Sequence, residues 1–130
     1  MPLDPQVEQL IEAAEALGLP PMESLSPADA RAQMLEGAQT VAAECSAARV
    51  EDATATGSRG AIPLRLYSPA GEGPHPVVAF FHGGGWVLGD LETHDAACHE
   101  LCVRSGCLIA AVDYRLAPEH VFPAAAEDCF

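Results

Sequence analysis

Val77-Val78-Ala79-Phe80-Phe81 and Cys107-Leu108-Ile109-Ala110-Ala111-Val112 are two unbroken apolar runs, separated by a helix-patterned stretch over residues 93–105. A strand buried on one face alternates apolar and polar residues, so continuous apolarity predicts strands buried on both faces. Two such strands joined through a helix predict a parallel βαβ unit, and with it an α/β fold. Each run is followed by a loop rich in glycine or charge, residues 82–89 and 113–120, and open parallel sheets place ligands at those ends of their strands.

Upstream, residues 48–56 and 61–67 read as a β-hairpin across Gly57-Ser58-Arg59-Gly60, with Ile62, Leu64 and Leu66 alternating against Pro63, Arg65 and Tyr67. Pro63 lacks a ladder donor, which puts its strand near a sheet edge. Residues 69–76 form a loop. Two helices precede the hairpin. Asp4 caps a segment that starts at Pro5, carries Val7, Leu10, Ile11, Ala14 and Leu17 on one face, and stops at Gly18. Ser26-Pro27-Ala28-Asp29 opens a second helix that runs towards Cys45.

Nineteen acidic residues face six basic ones, all arginine, for a formal charge of −13. Such a field repels phosphate backbones and anionic membranes, so nucleic acid is excluded as a partner. The five cysteines, Cys45, Cys98, Cys102, Cys107 and Cys129, follow no secreted framework and read as reduced thiols. With no basic and apolar leader and no run long enough to span a membrane, the expected location is cytoplasmic. His94, Cys98 and Cys102 share a helix face with His99 adjacent, a conceivable zinc constellation. Structural zinc draws its ligand pairs from separate turns, so close packing of small residues is the expected reading and no metal is assigned.

The first loop reads His82-Gly83-Gly84-Gly85-Trp86. Glycine lets the backbone take unusual φ and ψ and lets a substrate approach closely, so bare N–H groups here suit an oxygen that gains negative charge. No serine in the chain sits in a Gly-x-Ser-x-Gly; Ser58 comes nearest, but in a hairpin turn. Phe122-Pro123-Ala124-Ala125-Ala126-Glu127-Asp128-Cys129-Phe130 reads as the opening of an amphipathic helix without a closing Gly, Lys or Arg, so a truncated C-terminus is expected.

His82 to Trp86, Gly89-Asp90-Leu91 with His94-Asp95, and Asp113-Tyr114-Arg115-Leu116-Ala117-Pro118-Glu119-His120 with Phe122-Pro123-Ala124-Ala125 together resemble the bacterial hormone-sensitive-lipase family of α/β-hydrolases. The resemblance is strong from Val50 onward and looser over the N-terminal helices. It implies the N-terminal part of an α/β-hydrolase fold, ending before the nucleophile elbow: a helical cap segment over residues 1–46 and an incomplete catalytic domain over 47–130. It implies a serine carboxylesterase acting on small acyl esters, without metal or cofactor. Gly83, Gly84 and Gly85 would form the oxyanion hole, with Gly84 and Gly85 preferred as donors. The nucleophile, acid and base would all lie outside this chain, leaving it inactive alone and prone to self-association along an unpaired strand edge. His82 would brace the loop, and Trp86 would be either pocket wall or core filler. The charges of residues 113–120 would form a loop-scaffolding network or touch substrate, and Glu127 and Asp128 would sit in the first turn of the next helix. A non-catalytic small-molecule receptor or pseudoenzyme on the same fold is the alternative, and a self-standing βαβ binding module a third reading.

Overall fold

The computed structural model describes residues 2–41, 49–57 and 59–130. The side chain of Asp4 accepts the Gln6 N–H (2.8 Å) and starts α1, Pro5–Ala16. No residue of α1 is buried, so its apolar stripe of Val7, Leu10 and Ile11 is exposed. Ser26 donates to Asp29 Oδ2 (2.6 Å) and accepts the Asp29 N–H (3.2 Å), a reciprocal cap that opens α2, Pro27–Val41. The expected run towards Cys45, the hairpin residue Ala48 and the turn residue Ser58 lie outside the described residues.

β1 (Arg49–Gly57) and β2 (Gly60–Ser68) form the predicted hairpin, in register from Arg49 opposite Ser68 to Gly57 opposite Gly60. β3 (Val77–Phe81), α3 (Asp95–Ser105) and β4 (Leu108–Val112) form the predicted βαβ unit, with Val77 opposite Leu108 and Phe81 opposite Val112. A short α4 (Ala124–Asp128) follows. The sheet order is β1-β2-β4-β3, and β2 pairs antiparallel to both its neighbours. β2 therefore lies one strand in from the β1 edge. Pro63 is tolerated because its pairing with β4 is already ending: its carbonyl accepts the Asp113 N–H (3.0 Å), while the ladder proper runs from Leu64 to Tyr67.

The sheet has a core on each face. Tyr67, Ile109 and Ala111 pack with Cys98 and Cys102 of α3. Ile62, Val112 and Tyr114 pack with Ala125 of α4 on the other face. Tyr67, on the hairpin face opposite Ile62, is fully buried because α3 covers it, and its hydroxyl donates to Asp95 Oδ1 (2.8 Å). Two-sided burial holds for β4 and fails for β3. Val77 is 66% exposed, and Val78 and Phe81 are exposed too, because β3 is the edge of the described sheet and only Phe80 reaches the α3 core.

Burial pushes the Cys98 thiol up to about 11 and raises Cys102 as well, so both are poor nucleophiles in the folded chain. Iodoacetamide at pH 8 is expected to modify half-buried Cys107 before Cys98 and Cys102, which react only once urea opens the core. Peptide mapping checks the order.

Candidate functional site

The parallel register brings the ends of β3 and β4 side by side, so the two loops emerge together. His82, 6% exposed, stacks on the Tyr114 ring with centroids 4.3 Å apart and planes at 15°. The Tyr114 hydroxyl donates to the His82 carbonyl (2.6 Å). His82 Nδ1 lies 2.8 Å from the Gly83 carbonyl, so this nitrogen carries the proton and donates; Nε2 is buried without a partner. Gly89 closes over the ring: a Cβ there would stand 2.5 Å from Nδ1. The imidazole thus bonds loop backbone.

The Gly84 carbonyl accepts the N–H groups of Val87 (3.1 Å) and Leu88 (2.9 Å), closing a tight turn. Gly84, Gly85 and Trp86 follow one another at φ of +128°, +61° and +60°. Among the described residues no hydrogen bond uses the N–H of Gly83, Gly84 or Gly85. Successive backbone N–H groups in a turn of this kind can form an anion-attracting concavity. Trp86 holds this conformation without being glycine, a strain that tends to accompany function. It is 68% exposed and so lies outside the core.

Two cavities meet at Gly85. One of about 460 Å³ is lined by Gly85, Trp86, Ala117, Phe122 and Ala125. The other, about 320 Å³, lies between the glycine loop and the N-terminal segment, with Met22, Leu25 and Ala30 facing Gly84 and Gly85.

The charges of residues 113–120 do not pair with one another. Arg115 grips Asp128 of α4 through Nε (2.8 Å) and Nη2 (2.7 Å), and its N–H donates to the same carboxylate (2.9 Å). The guanidinium holds the Asp128 carboxyl below the usual range. Asp128 is the last residue of α4, not in its first turn, so Arg115 and not the helix dipole stabilises it. Glu119 instead pairs with Arg31 of α2 (2.8 Å), and this partner holds its carboxyl down to about 2. Asp113 is raised, chiefly by burial. His94 stands beside His82 (5.2 Å between centroids) and is lowered by burial and by that neighbour, whereas Cys98 and Cys102 turn into the α3 core. These three residues therefore do not converge on one point.

Sequence reasoning missed Arg31. Its signal was isolation: it is the sole basic residue before Arg49 in a strongly acidic chain.

A family profile described as alpha/beta hydrolase fold matches residues 78–130. The chain has the α/β-hydrolase fold. It is 51% identical over 81 residues to the carboxylic ester hydrolase LipN of Mycobacterium tuberculosis, covering 62% of this chain and 22% of that protein. It is 36% identical over 126 residues to the ethyl acetate hydrolase of Pseudomonas putida, covering 92% of this chain and 40% of that one. The hyperthermophilic esterase of Pyrobaculum calidifontis superposes with a TM-score of 0.87 at 39% identity, over 98% of this chain and 41% of its own. A thermostable esterase of Pseudomonas putida does so at 0.88 and 40%, over 97% and 40%. The chain thus spans less than half of each of these proteins, and its strands and helices are the N-terminal part of their fold.

A Cβ on Gly84 would lie 2.0 Å from the Leu88 carbonyl oxygen, whereas one on Gly85 meets nothing within 4 Å. Gly85→Ala is therefore expected to cost only the left-handed strain, about 1–2 kcal/mol, and Gly84→Ala more, because backbone must move. Urea midpoints of the two variants against the parent chain check the ranking.

Proposed function

We propose that residues 82–89 form the oxyanion hole of a serine carboxylesterase that cleaves small acyl esters. The single observation that carries this reading is the set of unclaimed N–H groups at Gly83, Gly84 and Gly85, at the carboxyl end of β3 where two cavities meet. An ester carbonyl becomes an alkoxide when attacked, and pre-aimed N–H donors stabilise that oxygen more than the ground-state carbonyl. Gly84 and Gly85 are the preferred donors. His82 keeps the loop in place and is not the general base, because its unprotonated Nε2 is buried and borders neither cavity. Trp86 walls the larger cavity, whose apolar lining suits part of a small ester. Relatives named as a carboxylic ester hydrolase and an ethyl acetate hydrolase support the substrate class.

In this reading residues 1–46 are a cap and residues 47–130 the first part of the catalytic domain, supported by Met22, Leu25 and Ala30 bordering the cavity at Gly84. The nucleophile, its base and its acid come from residues of the full-length protein outside these 130. The free thiols of Cys98, Cys102, Cys107 and Cys129 support a reducing, cytoplasmic location. Among the described residues no helix is long and apolar enough to cross a membrane.

Three outcomes are expected. The 130-residue chain neither hydrolyses nitrophenyl acetate above a buffer blank nor takes up a fluorophosphonate probe; labelling of one serine in stoichiometric amount would contradict this. In the full-length protein Gly85→Ala lowers kcat by at least about an order of magnitude with little change in KM, since the interaction grows as charge develops. A well-folded variant with undiminished kcat would remove the oxyanion assignment, and a full-length parent that binds esters without turnover would favour the receptor reading. Finally, exposed Val77, Val78 and Phe81 on the unpaired β3 edge make the isolated chain self-associate. Light scattering after size exclusion reads this, with Val78→Lys expected to shift the chain towards monomer.

A further inference from the structure

Arg31 enters the site from α2 and grips three groups at once. Its Nε donates to the Val87 carbonyl (2.8 Å) and its Nη2 to the Ala117 carbonyl (2.8 Å). Nη1 and Nη2 close a two-pronged pair on Glu119 at 2.9 and 2.8 Å. Val87 belongs to the loop after β3, and Ala117 and Glu119 to the loop after β4. One guanidinium therefore ties the N-terminal helix to both loops, over sequence separations of 56 to 88 residues.

The two carbonyls that Arg31 holds lie in a chain of peptide units that ends at the glycines. The Val87 N–H donates to the Gly84 carbonyl, and the Ala117 N–H donates to the Trp86 carbonyl (2.8 Å). A peptide unit is planar, so its carbonyl and the next residue's N–H point in opposite directions across one rigid plate. Fixing the Gly84 carbonyl thus fixes the direction of the Gly85 N–H. The plate that joins Trp86 to Val87 is pinned at both ends, its oxygen by Ala117 and its hydrogen by Gly84. Arg31 holds the carbonyl of Val87, whose N–H belongs to this plate, and the carbonyl of Ala117, whose N–H anchors its oxygen.

We propose that Arg31 is a positioning residue: its grip on the Val87 and Ala117 carbonyls sets the direction of the Gly85 N–H. This rests on the reading of Gly85 as an oxyanion donor. The Glu119 pair orients the guanidinium, whereas the two carbonyl bonds transmit the constraint. A planar fork can serve two carbonyls and a carboxylate together; a lysine ammonium in its place reaches fewer of them.

The test uses the full-length protein and its Arg31→Gln, Arg31→Lys and Glu119→Gln variants, with kcat and KM for a nitrophenyl ester and hydrogen exchange by mass spectrometry. Arg31→Gln is expected to lower kcat about tenfold or more, in the range that small misplacements cost, with KM within about twofold. Exchange should quicken in peptides covering residues 83–89 and stay unchanged in those covering 98–112. Arg31→Lys should recover part of the loss, and Glu119→Gln should keep most of the turnover because both carbonyl bonds survive. Unchanged loop exchange in Arg31→Gln, uniform acceleration across both regions, or equal losses in Arg31→Gln and Glu119→Gln would each overturn the proposal. Faster loop exchange with undiminished kcat would uphold Arg31 as the loop's positioner and overturn the oxyanion reading instead.

Discussion

The structure depends on one register: Phe81 of β3 opposite Val112 of β4, in parallel. Parallel pairing puts the carboxyl ends of both strands at the same edge of the sheet, and α3 is the crossover that this requires. From that register it follows that His82 and Tyr114 meet ring to ring, and that the Tyr114 hydroxyl can reach back to the His82 carbonyl. An antiparallel pairing of the same strands would send the two loops to opposite ends. The glycine turn would then have neither its stacked support nor the Ala117 N–H that holds Trp86.

What the sequence made legible was local or strongly periodic. The caps at Asp4 and Ser26, the hairpin, the βαβ unit and the glycine loop are each encoded within a few residues. Less legible was anything decided by what covers a surface. The apolar runs of β3 and β4 look alike, yet Ile109 is buried and Val77 exposed, because one strand has neighbours on both sides and the other does not. Tyr67 reads as the polar half of an alternating strand until α3 lies over it. Arg115 and Glu119, four residues apart, invite mutual pairing, but each finds a carboxylate or guanidinium on a different helix. Long-range partners of this kind leave no mark in spacing.

With nineteen acids and six arginines, cations are scarce. Every arginine is engaged with at least one carboxylate, and the most enclosed, Arg65, reaches Asp52, Glu92 and Asp95 from β2. Pairs at the surface, such as Arg49 with Glu51 or Arg104 with Glu100, contribute little, about 0–1 kcal/mol each. The consequential ones join elements far apart in sequence: Arg31 joins α2 to the loops, Arg65 the hairpin to the start of α3, and Arg115 the β4 loop to α4. In these the guanidinium acts as a fastener whose position matters more than its charge.

Trp86 is the only tryptophan in the chain, and it stands exposed in the glycine loop on the wall of the larger cavity. Nearly all of the ultraviolet emission of these 130 residues beyond the tyrosine band therefore originates at this one site. An indole open to water emits at long wavelength, and any molecule that settles between Trp86 and Phe122 replaces that water with apolar surface. The loop thus carries its own optical probe, one that senses occupancy of the cavity and the posture of the glycine turn without a label or a substitution.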